Sequence, residues 1–101
     1  MRLILNVAAL AALSCAGVFA ADAAAGKAVY DKSCKTCHGA DGTPSAGMAK
    51  AMNIKDFKTT EFSEADIKAA VTNGKGKMKP IPTVTGASLD NVTAYVKSLK
   101  Q

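Results

Sequence analysis

The sequence predicts an all-α domain, and three observations carry that expectation. Apolar residues near the C-terminus recur at helical spacing, no strand-like alternation persists beyond three residues, and Ser63, Ser88 and Asn73-Gly74 stand where helix caps belong. A length of 101 residues supports one domain.

Residues 1–21 contain no acid and a single base, Arg2, ahead of an apolar run from Leu3 to Leu13 broken by Asn6. This is the pattern of a secretory signal peptide, and Val18-Phe19-Ala20 places cleavage after Ala20. The domain division is therefore 1–20 as signal peptide and 21–101 as the folded part. The run is too short for a transmembrane helix. Two minor alternatives are a retained anchor and lipidation at Cys15, which follows Leu13-Ser14. A first helix is expected from Asp22 to about Lys35, with Val29 and Tyr30 on its inner side. Residues 39–45 are rich in Gly, Asp, Thr and Pro and are expected to be loop. Ala46–Met52 carries a short helical pattern ending at Asn53, and 54–60 is a further loop around Ile54 and Phe57. Ser63 is expected to cap a helix over Glu64–Thr72, with Phe62 and Ile67 at the staple positions. The last helix is expected after Ser88, with Leu89, Val92, Tyr95, Val96 and Leu99 on one face.

The net charge is +5, and Arg2 is the only Arg. Basic residues are not interleaved with stacking aromatics, so nucleic acid is a poor partner. Gly74-Lys75-Gly76-Lys77 lacks the spacing of a phosphate-binding P-loop. Beyond the leader the aromatics are Tyr30, Phe57, Phe62 and Tyr95, and the cysteines are Cys34 and Cys37. A chain this small has difficulty building a sufficient core, and a disulfide three residues wide would constrain little. The shortfall points to a bound prosthetic group.

Cys34-Lys35-Thr36-Cys37-His38 points to the group. On a helical turn, positions i, i+3 and i+4 share one face, so two thiols and one imidazole converge. C-x-x-C-H is the attachment pattern for c-type haem: the thiols add across two vinyl groups and the histidine becomes the proximal iron ligand. Three other readings compete. A thioredoxin-like pair needs a βαβ context that is missing here, a structural zinc needs four ligands while His38 is the sole histidine, and a plain buried Cys pair has no chemistry.

With these residues in view, the chain resembles the small bacterial class I c-type cytochromes over 21–101. Gly26-Lys27-Ala28-Val29-Tyr30 ahead of Cys34 resembles the family's N-terminal helix, in which the glycine and the aromatic pack on the C-terminal helix. Gly39-Ala40-Asp41-Gly42 resembles the turn after the proximal histidine. Asn73-Gly74-Lys75-Gly76-Lys77-Met78 resembles the loop that delivers the sixth ligand, and Leu89–Leu99 with Tyr95 the terminal helix. The resemblance implies a cytochrome c-like fold, with N- and C-terminal helices packed together around one covalently attached haem c. It departs from the family in two places: Lys79 separates Met78 from Pro80, and Pro44 is only a weak match to the proline whose carbonyl usually supports the proximal histidine.

A hexacoordinate haem needs a second axial donor, and with no second histidine a thioether is the obvious remaining one. Met78 is the expected ligand, Met48 or Met52 are lesser candidates, and an open site is the alternative. Met48 and Met52 lie at helical spacing and are expected to pack against haem. Met78 stands alone in a polar loop, which ligation would explain. The expected function is a periplasmic monohaem carrier of single electrons, not an enzyme. Lys75, Lys77 and Lys79 would face acidic redox partners, although an ordinary solvated loop explains them equally well. Two alternatives remain open: an open-site haem sensor or peroxidase-type protein, and a haem subunit permanently docked on a membrane redox complex.

Overall fold

The computed structural model describes residues 21–101; the expected signal peptide, including Cys15, lies outside them. The described residues form five helices and no strand: α1 (Ala23–Ser33), α2 (Lys35–His38), α3 (Ala46–Met52), α4 (Glu64–Asn73) and α5 (Gly86–Ser98). No helix among them is long and apolar enough to cross a membrane.

The principal packing event is α1 against α5, with α4 set on α5. Its geometry follows from one missing side chain. A Cβ added to Gly26 would lie 1.9 Å from the Asn91 carbonyl oxygen, so the two backbones meet where no other residue fits. The Asp22 amide donates to Asn91 Oδ1 at 2.8 Å and closes the same end of the crossing. One helical turn beyond Gly26, Tyr30 is fully buried, its ring 5.1 Å from that of Tyr95. Val92 and Thr93 are the other wholly enclosed side chains, and the Thr93 hydroxyl donates to the Leu89 carbonyl within its own helix. The core is small: Tyr30, Ile67, Val71, Val84, Val92 and Val96.

Helix ends follow local chemistry. The Asp22 carboxylate accepts from the amides of Ala24 and Ala25, so Asp22 is the cap and not the first residue of α1. The expected run to Lys35 breaks at Cys34, whose φ of −121° separates α1 from α2. The Ser63–Asp66 capping box starts α4 as the sequence suggests, and α4 runs through Asn73 to Gly74 at φ 80°. The last helix departs from expectation at its start. It begins at Gly86, because the Thr85 carbonyl already accepts from the Leu89 amide, leaving Ser88 inside the first turn. Apolar spacing begins only at Leu89, so the preceding turn carries no periodic signal.

Candidate haem-binding site

Beside the small core lies an apolar-walled cleft of about 630 Å³, within the usual size range of cofactor sites. Cys34, Cys37, His38 and Met78 all line it. The first three are set by α2. The amides of Cys37 and His38 both donate to the Cys34 carbonyl, at 3.2 and 3.0 Å, which winds the motif into one turn and gives it a shared face. Both thiols are free. Burial pushes the Cys34 thiol up to about 11, so it remains protonated at neutral pH.

His38 is similarly enclosed, and burial lowers its pKa below the usual imidazole value. Its ring stacks on Phe57 with centroids 4.7 Å apart and planes 18° from parallel. Nδ1 is buried and has no hydrogen-bond partner among the described residues. The Pro44 carbonyl therefore does not take the role for which the sequence made it a weak candidate. The chain spends its polar groups here differently. Tyr30 Oη donates to the Gly39 carbonyl at 2.6 Å, anchoring the turn after His38 to the α1–α5 crossing. A Cβ on Gly39 would meet the Thr43 carbonyl oxygen at 2.0 Å, so the turn folds tightly back on itself.

Met78 is delivered by a loop with its own constraints. Lys75 and Met78 exchange both backbone hydrogen bonds at 2.9 Å around Gly76, whose φ is 57°. Gly74 sits at φ 80°, where a Cβ would be 2.7 Å from the Met78 carbonyl oxygen. Downstream, the Ile81 amide donates to the Val71 carbonyl and ties the loop to α4. Lys79 between Met78 and Pro80 does not displace the methionine from the cleft wall. Met52 lines the cleft as expected for a packing residue, whereas Met48 does not.

The three loop lysines are not equivalent. Lys77 Nζ donates to the Ala51 carbonyl at the end of α3, at 2.8 Å, so its ammonium is engaged within the fold. Sequence reasoning did not set Lys77 apart from Lys75 and Lys79, nor did it find Phe57 as the neighbour of His38. The signal for Phe57 was available, since it too is an apolar residue isolated in a polar loop.

The donor set suits haem c: two free thiols and an imidazole on one turn, a thioether on a separate loop, and apolar walls between them. Among the described residues, no three His, Cys, Asp or Glu side chains gather as the ligands of a bare metal ion. Comparison with known proteins agrees. Residues 21–96 match the family described as cytochrome C oxidase, cbb3-type, subunit III. Cytochrome c-554(547) of Halothiobacillus neapolitanus is 37% identical over 91 residues, covering 80% of this chain and 100% of that protein. Cytochrome c-555 of Chlorobaculum tepidum is 37% identical over 91 residues, with 77% of each chain covered. Cytochrome c6 of Gloeothece citriformis is 34% identical over 80 residues, covering 77% of this chain and 72% of its own. In fold, the solved KustC0563 c-type cytochrome superposes with a TM-score of 0.65 at 24% identity, over 75% of this chain and 98% of that one. Geometry, donor chemistry and relatives converge: the chain belongs to the cytochrome c family and carries covalently bound haem c.

Proposed function

We propose that the protein is a periplasmic carrier that shuttles single electrons between redox partners, with no catalytic role of its own. One observation carries the reading: His38 and Met78, far apart in sequence, line the same cleft as Cys34 and Cys37. When bound, the haem supplies an Fe(II)/Fe(III) couple that accepts and releases one electron. In this reading Cys34 and Cys37 hold the macrocycle through thioethers. His38 is the proximal ligand, with Nε2 the available nitrogen because Nδ1 is sealed in protein. Met78 is the second axial donor, and a thioether favours the reduced iron and raises the potential. With His38 and Met78 both holding the haem, no position would be left for a substrate. With the haem bound, the apolar part of the cleft wall would shield it from water and limit the reorganisation that accompanies a change of charge. Residues 1–20 would direct export and be removed.

Lys75 and Lys79 are exposed beside Met78 and would steer acidic partners to this edge, raising the encounter rate in a salt-dependent way. The test is the visible spectrum of the holoprotein, oxidised and reduced, for the native chain and Met78→Ala. The native ferric protein should show the red-region sulfur-to-iron band and the variant should lose it. A high-spin native spectrum, or rapid carbon monoxide binding by the reduced protein, would sink the closed-site reading in favour of a sensor or peroxidase. A second reading, as a docked haem subunit, has support in the match to a family described as subunit III of a cbb3-type oxidase. Recovery as a free monomer in high salt would count against it.

A further inference from the structure

We infer that Phe57 is a positioning residue for His38, holding the imidazole plane by stacking where a hydrogen-bond acceptor would ordinarily hold it. This rests on His38 being the axial ligand. A metal-bound histidine normally donates its second ring N–H to a carbonyl or carboxylate, which fixes the ring and strengthens it as a donor. Here Nδ1 is buried and finds no such partner. The Gly39 carbonyl accepts from Tyr30 Oη, and that of Gly42 accepts from the Phe57 amide at 3.0 Å. What does contact the ring is Phe57, nearly parallel at 4.7 Å.

Phe57 is itself held on several sides. The Asp56 carboxylate accepts from Thr43 Oγ1, with both oxygens at 3.1 Å, and from the Lys58 amide at 2.8 Å. Lys58 Nζ reaches Asp41 at 2.7 Å, and its carbonyl accepts from the Gln101 amide. Phe62 meets the Phe57 ring edge-on at 5.7 Å. Gly42 leaves room for the Phe57 side chain, since a Cβ there would come within 3.0 Å of Phe57 Cβ. Thus the loop after His38 and the loop bearing Phe57 are laced together, and the lacing sets where the stacked ring stands. Rotation of the imidazole about its Cβ–Cγ bond would break the stack, so the ring plane is fixed. With no acceptor at Nδ1, the imidazole stays a weaker donor, which favours reduced iron. Removing the aromatic plate would loosen the ring and admit water to Nδ1 as an acceptor.

The test uses the ferric holoprotein, in which paramagnetically shifted haem-methyl proton signals report the orientation of the axial ligand planes, together with the reduction potential. Phe57→Leu should change the order or spread of those signals and lower the potential, while Phe57→Tyr should restore both to native. Asp56→Asn, which leaves the ring in place and weakens its tether, should shift the signals in the same sense by less. A native methyl pattern and potential in Phe57→Leu would overturn the inference, whatever its melting temperature. Should Phe57→Leu fail to fold, a native pattern in Asp56→Asn would do the same. Failure of the ligand reading looks different: the native protein itself would lack the shifted His38 imidazole signals, independent of any change at Phe57.

Discussion

The crossing of α1 and α5 and the pair of loops around the cleft are built on different physics. The crossing depends on shape: a glycine admits a neighbouring backbone, an aromatic fills the next turn, and valines close the gap. The loops depend on directed polar bonds, with the 41–43 and 56–58 segments laced by Asp56 and the Met78 loop pinned by Gly74, the Lys75–Met78 pair and Lys77. Damage to the first should therefore lower stability with little effect on the site, and damage to the second should do the reverse.

The largest expected effect tests the shape-based half. Gly26→Val should cost about 3 kcal/mol or more, since the clash is with backbone and cannot be relieved by a rotamer change. At about 4–8 °C per kcal/mol for a domain of this size, the melting temperature of the holoprotein should fall by more than about 12 °C, with the spectrum of the surviving folded fraction unchanged. A spectrum that changed in proportion would erase the distinction between the two regions.

Gly74→Ala comes next and belongs to the other half. The residue sits at φ 80° and ψ 167°, a conformation essentially confined to glycine, against the Met78 carbonyl, so the strain should be about 1–3 kcal/mol. Its main readout should be a weakened sulfur-to-iron band, while Gly76→Ala, in open space at φ 57°, should leave that band nearly intact. Equal losses from both would mean that the loop is not held by contact at Gly74.

Tyr30→Phe joins the two regions, because the hydroxyl of a core residue holds the turn after His38. It should cost about 1 kcal/mol, measured by denaturant unfolding, for one net hydrogen bond. At the surface, Lys75→Gln and Lys79→Gln should slow reduction by an acidic partner at low ionic strength more than Lys77→Gln does, and added salt should remove the difference. Stopped-flow rates would decide it. The smallest effect should be at the capping box. The Ser63 amide holds the Asp66 carboxyl below its usual range, so this contribution to stability is present above the unfolded value of about 4 and is lost as pH falls through the lower folded value. Asp66→Asn should flatten that part of the acid limb in a series of melting curves.

The two regions were also unequally legible in the sequence. Gly26 and Tyr30 four residues apart, and Val92, Tyr95 and Val96 at helical spacing, are periodic features set by the geometry of a single helix. The Ser63 cap is likewise local. The haem motif was legible because its five residues make one turn on their own. The loops were not, because Asp56 with Thr43 and Lys77 with Ala51 are pairings between distant polar residues, and each member taken singly is an ordinary surface residue. The tie of Lys77 to α3 was hidden for that reason. Pro44 failed for a related one, since the register of a carbonyl in a turn depends on where neighbouring loops take their own hydrogen bonds. The start of α5 before Ser88 lacked an apolar residue to mark it.

The hydrogen bond between the Asp22 amide and Asn91 joins residues 69 positions apart. The principal contact of the fold thus closes most of the described residues into one loop, a long-range step that slows folding. A chain emerging N-terminus first would present Cys34 and Cys37 long before α5 exists to complete the crossing. The order of residues along the chain therefore gives the attachment chemistry an interval in which both thiols precede the closed structure.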